Sequence, residues 1–363
     1  MKVLLIGEYS SFHRNLKIGL NQNGIEAIVA GSADGFKKIE VDINLFGDYS
    51  GNKFSEFLIK QFSIYNKTKK LKGYDIVQFI NPFLFINKFK KYALLYNRII
   101  YENIEKNNEN LFLSSCGNDA VLVQIGKNLL EYNIIDPSGK DVSGIKTLPE
   151  GLQWNLELVE KCKGVIPAGY SYWVGYNKIL QESNKLSKPI PPSVVCQEFE
   201  FDNNNINGKL KLFHGINQPK LKGSHLILEA MKRIKEAYPD DIELIVVERL
   251  PYKDYLKQLM DAHVNIDQAY SYAYGLNALI SMAMGKITLS GAEPIALDAI
   301  QVKDCPVINI KPQTDHIFKQ LEMLLYRKKE LCELSEKTRQ YVEKYHDSNV
   351  IAKQYFEYWN SKI

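Results

Sequence analysis

The 363-residue chain lacks most of the short signatures that mark a catalytic chemistry. No DxD triplet occurs, so a common carboxylate clamp for a metal-bound diphosphate is missing. The six histidines form neither HxxxH nor HExxH, which argues against a zinc site. GxSxG is absent, which weakens an esterase reading. The first strand runs into "GEYSSF" and not into GxGxxG, so the dinucleotide fingerprint is missing as well. Cysteine is scarce: five residues (116, 162, 196, 305 and 332) with no CxxC, a scattered, odd set expected to stay reduced in a cytoplasm. No stretch approaches the roughly 20 apolar residues of a membrane-spanning helix. "KVLLIG" passes into polar "EYSSFHRN" without a cleavage-like site, so no secretory signal is expected. A net charge of +4 is too mild to argue for a nucleic-acid partner.

What remains is an ordinary globular composition, 45% hydrophobic and 24% charged, in a chain long enough for two domains. Short apolar runs ("KVLLIG", "EAIVAG", "YDIVQFI", "NLFLSSC", "KGVIPAG") alternate with helical patterns such as 12–23. That alternation predicts a parallel sheet covered on both faces. At "EFEFDNNNINGK", three consecutive asparagines and a glycine read as a linker. The alternation then restarts with "LKLFHG", "IELIVVE", "VNID" and "KITLSG". The reading is α/β, with two Rossmann-like doubly wound domains over 1–204 and 205–345. The aromatic face of "NVIAKQYFEYWNSKI" predicts a closing helix over 346–363 that packs back on the first domain.

One stretch is unusual: "DQAYSYAYGLNALISMAMGK", 267–286, with three tyrosines ahead of Gly275 and no charge from there to Lys286. Leu276, Leu279, Ile280, Ala283 and Met284 fall on the stripe of a helix lying on a sheet, with Asn277 and Ser281 on another face. This helix starts at the carboxyl end of a strand, where open α/β sheets bind ligands and a helix N-terminus offers N–H groups to an anion. Gly275 either lets a phosphate approach or makes a tight turn. One unit earlier, "HGINQPKLKGSHL" reads as a flexible loop whose Lys220 and Lys222 suit a diphosphate, with Ser224 placed to cap the next helix.

These residues resemble the nucleotide-sugar domain of GT-B glycosyltransferases of the large family 4, group 1 type. The likeness rests on "HGxxxxxxKG", "ELIVVE", "DQ…YG…MAMGK" and "SGAEP" across roughly 209–300. "SSCGNDA" carries a weaker likeness to the acceptor domain. The resemblance implies a two-domain GT-B fold with a cleft, and a UDP- or GDP-sugar as substrate with no cofactor and no metal. It implies donor contacts from Gly215, Asn217, Lys222, Glu248, Arg249, Tyr274, Gly275, Leu276, Asn277 and Ser281, with the loop 248–250 facing the base. Lys222 would neutralise the leaving diphosphate, and a general base would come from Asp119 or His13, both at strand ends. The family's two glutamates are replaced by Tyr272 and Ile280, its first-domain histidine by Cys116 and a frequent arginine by Ile216.

The expectation is a cytoplasmic glycosyltransferase acting on a glycan or lipid-linked acceptor in bacterial surface polysaccharide or glycoconjugate synthesis. A non-catalytic GT-B relative that binds a glycan or protein is the alternative. "NPFLFINKFKKYALLYNRIIYENIEK", where lysines alternate with aromatic and aliphatic residues, reads either as a solvated amphipathic helix or as a peripheral contact with the inner face of a membrane.

Overall fold

The computed structural model describes residues 1–32, 39–47, 53–85, 90–132, 144–181 and 183–363. The first half contains β1 (Lys2–Ile6), α1 (Phe12–Gln22), β2 (Glu26–Gly31), β3 (Ile43–Asn44), α2 (Lys53–Thr68) and β4 (Ile76–Phe79). It continues with α3 (Lys90–Glu105), β5 (Asn110–Ser115), α4 (Ala120–Gln124), α5 (Pro149–Lys161), β6 (Gly164–Pro167) and α6 (Tyr170–Ile179). Residues 86–89 of the lysine-rich segment lie outside the described residues.

The six strands form one parallel sheet in the order β3-β2-β1-β4-β5-β6. Alternate residues of each strand feed opposite cores, as the two-residue period requires. Leu4, Ile6, Val77, Phe79, Leu111 and Leu113 enter one, with Trp154 and Leu158 of α5. Val3, Leu5, Ile76 and Phe112 enter the other, with Phe12, Leu16 and Leu20 of α1.

The second half contains β7 (Leu210–Ile216), α7 (Pro219–Lys222), α8 (Ser224–Ala237), β8 (Ile242–Glu248), α9 (Tyr252–Asp261), β9 (Val264–Ile266) and α10 (Leu276–Ala283). Then come β10 (Ile287–Ser290), α11 (Pro294–Ala299), β11 (Ile308–Asn309), α12 (Thr314–Tyr326), α13 (Leu331–Tyr345) and α14 (Ser348–Asn360). Its parallel sheet has the order β11-β10-β9-β7-β8.

Both orders are those of doubly wound sheets, with the direction of winding reversed between β1 and β4 and between β7 and β9. The chain returns to the first sheet at its end: Ile351, Tyr355 and Trp359 of α14 fill the core that α1 covers. A Cβ on Gly19 of α1 would lie 1.9 Å from the Ser348 carbonyl oxygen, so the two helices cross in close contact. The Trp359 indole donates to Gln78 Oε1 at 3.0 Å.

Candidate functional site

The reversal between β7 and β9 places two connections side by side at the carboxyl edge of the second sheet, the position where such sheets hold ligands. After β7, Pro219 opens the single turn α7 and Gly223, at φ 71°, ends it. This turn replaces the flexible loop expected over 214–226, and it buries Lys222. Lys222 Nζ lies 2.7 Å from Asp267 Oδ1, with 11% and 1% of the two side chains exposed.

Asn277 Nδ2 donates to the same Asp267 oxygen at 2.9 Å, and Tyr255 donates its hydroxyl to Asn277 Oδ1 at 2.5 Å. The Ala269 N–H donates to the Lys222 carbonyl at 2.9 Å and so fixes the two connections together. Ser224 does not cap α8 as the sequence suggested. It sits inside the first turn, where its Oγ lies 2.8 Å from His214 Nε2, while Gly223 takes the cap position. Burial pushes His214 down to about 4, so the ring is neutral at pH 7.

Gly275 caps α10 with extended angles, φ −110° and ψ −171°, that any residue adopts. A Cβ there would meet nothing closer than Gln268 Nε2 at 3.7 Å. Neither backbone strain nor packing demands a glycine, so the tight-turn alternative has no structural basis. No side chain caps α10, and its first-turn amides carry the positive end of the helix dipole. Leu276, the first residue of the helix, is half-buried. Gly215 is different: a Cβ would lie 2.5 Å from the Tyr255 ring, so this glycine is required by packing.

The remaining donor candidates are dispersed. Asn217, Glu248 and Arg249 are exposed at the ends of β7 and β8, with Arg249 Nε 3.6 Å from Glu248 Oε1. Ser281 is fully buried and its Oγ has no hydrogen-bond partner, so it does not reach the edge of the sheet. Tyr274 turns away from the amides of α10 into the domain junction. Its hydroxyl lies 2.7 Å from that of Tyr341 and 2.8 Å from His346 Nε2.

In the first domain His13 and Asp119 both lie beyond strand ends, and both are fully buried. Asp119 caps α4: its Oδ1 accepts the Leu122 N–H at 2.8 Å, and its Oδ2 accepts hydroxyls from Ser115 at 2.9 Å and Tyr176 at 2.8 Å. Burial raises its pKa against those hydrogen bonds. His13 Nδ1 lies 2.8 Å from the Gly7 carbonyl, and burial drives the ring down to about 3. A group so weakly basic is poorly matched to proton abstraction near pH 7. Asp119 is thus held by hydrogen bonds within the first domain, while His13 is held through Nδ1 alone and its Nε2 is buried without a partner among the described residues.

One feature escapes the sequence reading: Asp267, a buried carboxylate beside Lys222. A cluster of tyrosines joins the two domains. Tyr272 stacks on Tyr132 at 4.7 Å between ring centroids and on Tyr170 at 5.7 Å, both at 29°. The Glu131 N–H donates to the Tyr272 hydroxyl at 3.2 Å, and Tyr132 donates to Glu293 Oε1 at 2.6 Å. Burial opposes ionisation of Glu293, but the hydrogen bonds from Tyr132 and Asn309 bring its pKa below the ordinary value. The three tyrosines of the unusual stretch thus divide. Tyr270 lies near His225, Tyr272 bridges the domains and Tyr274 is core.

No protein-family model and no curated protein matches the chain. Among solved structures it is similar to HepE from Anabaena, crystallised with UDP and glucose: TM-score 0.62, 11% identity, 99% of this chain and 100% of that one. It is also similar to a sucrose-phosphate synthase from Thermosynechococcus elongatus, with TM-score 0.64 and 13% identity over 99% and 98% of the two chains. A glycosyltransferase from Rickettsia africae gives TM-score 0.57 and 15% identity over 99% and 98%. At these identities the likeness establishes the fold, which is GT-B: two parallel-sheet, Rossmann-like domains.

Proposed function

We propose that this protein is a GT-B glycosyltransferase that takes a UDP- or GDP-sugar as donor and holds its diphosphate between the N-terminus of α10 and Lys222. The observation that carries this reading is the uncapped, open start of α10 at Gly275, next to a lysine, at the point where the second sheet reverses its winding. Helix amides and an ammonium can stabilise the charge that develops on a leaving diphosphate without a metal ion. The solved structures with UDP, or with UDP and glucose, in a similar fold support the donor class.

The acceptor is a glycan or a lipid-linked saccharide, in the synthesis of a bacterial surface polysaccharide or glycoconjugate. Peripheral contact with the inner membrane face is supported by α2 and α3, joined by the Tyr96 hydroxyl donating to the Gln61 carbonyl at 2.6 Å. Leu58, Ile59 and Phe62 on α2 and Tyr92, Leu95 and Ile99 on α3 are exposed, with Lys69, Lys70 and Lys72 just beyond α2. An apolar face beside lysines fits an anionic lipid surface. Among the described residues no helix is long and apolar enough to cross a membrane.

The alternative is a GT-B protein that binds a sugar nucleotide or glycan without turnover. It is favoured by the buried, hydrogen-bonded state of Asp119 and the weak basicity of His13. Incubating the purified protein with UDP-glucose or GDP-mannose and candidate acceptors, and measuring nucleoside diphosphate released, separates the two. Release that requires the acceptor supports the transferase; donor binding without release supports the alternative.

A further inference from the structure

The two faces of α10 differ. Ala278, Leu279 and Met282 share an apolar core with Tyr341 and Val342 of α13. The other face carries Asn277, Ile280, Ser281 and Met284 at helical spacing and turns to the sheet. There Asn277 bonds Asp267 just past β9, and Met284 shares a core with Phe213 of β7. The helix starts at the carboxyl edge of the sheet and returns to its amino edge, where the Ile287 N–H donates to the His263 carbonyl. It therefore runs antiparallel to β9.

The two elements can be matched step by step. From Asn277 to Ser281 the helix advances about 6 Å. From Asp267 back to Asn265 the strand covers about 6.6 Å. Asn265 pairs with Phe213 and Thr288 and shares their face of the sheet, whereas Val264 and Ile266 enter the core under α8 and α12. Ser281 thus stands over Asn265 as Asn277 stands over Asp267.

Both side chains are fully buried. Among the described residues Asn265 Oδ1, Asn265 Nδ2 and Ser281 Oγ have no hydrogen-bond partner. One step along the same seam, Asp267 Oδ2 receives Ser290 Oγ at a long 3.5 Å. Burying such groups unpaired costs stability, so Asn and Ser here would be worse than apolar residues of similar size. A direct bond between them would satisfy only one end of the Asn265 amide. A water both donates and accepts, and internal waters bond about three such groups.

We infer that Asn265 and Ser281 hold a buried water between β9 and α10, and that this water seats the helix on the sheet one turn below the Asn277–Asp267 hydrogen bond. The two side chains are positioning residues. They touch no ligand, and they fix the height and rotation of α10 and so the direction of its first-turn amides. This consequence for binding rests on the diphosphate position proposed above; the water site does not.

A crystal structure with ordered solvent should show a water within hydrogen-bond distance of both side chains. A direct Asn265–Ser281 bond, or a dry contact, would overturn the inference. Denaturant unfolding of Asn265→Leu, Ser281→Ala and the double variant should show coupling. Each single change strands the remaining side chain, so the double variant should lose less stability than the two singles summed. A strictly additive loss would rule out a shared water. Calorimetric titration of UDP and GDP into folded Ser281→Ala should give an affinity about fivefold below the parent's, the equivalent of one hydrogen bond. Equal affinity would overturn the positioning role. If neither diphosphate binds the parent, the proposed diphosphate site fails, and the crystal structure and the coupling still decide the water site.

Discussion

Lys222 and Asp267, 45 residues apart in sequence, form a buried ion pair with Nζ 2.7 Å from Oδ1. Their charges cancel, so the proposed diphosphate site is nearly neutral before a ligand arrives. Removing one partner leaves the other buried and uncompensated. Lys222→Ala should therefore lower stability by about 3–5 kcal/mol as well as weaken binding of UDP or GDP. Denaturant unfolding checks the first effect. A loss within about 0.5 kcal/mol would mean that the pair is solvated.

Asp267→Asn separates the two tasks of the pair. The amide keeps the shape but leaves the Lys222 charge unbalanced, so the unliganded variant should melt earlier. An anion then meets a net positive site. The rise in melting temperature given by the same high concentration of UDP or GDP should be larger than in the parent, since stabilisation grows with the logarithm of the ligand concentration over its Kd. A smaller rise would place the diphosphate away from this pair.

Much of the fold was legible in the sequence, because short apolar runs ending in polar residues define strands and a 3.6-residue stripe defines α10. The turn α7 was not legible, since four residues carry no periodicity. Asp267 looked like an ordinary strand end in "VNID". Only the reversal between β7 and β9 brings it to Lys222. The first-domain partners of Tyr272 were hidden for the same reason: Tyr272 and Glu131 are 141 residues apart. Tyr274 was expected at the donor but lies in the core, since helix direction and not composition decides which way a flanking aromatic points.

Acid should destabilise the protein through its buried histidines. Burial pushes His13 to about 3 and His346 to about 4, whereas the unfolded chain takes up these protons near 6.5. Between those values the unfolded state binds more protons, so stability is lost as pH falls from about 6.5 toward 4. A tenfold difference in proton affinity between the folded and unfolded states corresponds to about 1.4 kcal/mol. His13→Gln should flatten the dependence of melting temperature on pH over this window. An identical slope would show that His13 takes up its proton alike in the folded and unfolded protein.

Turnover by the proposed transferase should survive EDTA, because in that proposal the helix amides and Lys222 take the place of a metal clamp. A rate restored only by added magnesium or manganese would contradict this assignment of the charge stabilisation.

Gly275 offers the sharpest test of a diphosphate site at the start of α10. Its φ of −110° suits any residue, and a Cβ meets only Gln268 Nε2 at 3.7 Å, so the fold should tolerate a side chain there. The decisive measurement is calorimetric titration of UDP and GDP into the parent and into Gly275→Val, with melting temperatures taken alongside. The variant should melt within a few degrees of the parent and no longer bind the diphosphate that the parent binds. A folded variant with the parent's affinity would contradict the proposed site and remove the α10 N-terminus from it.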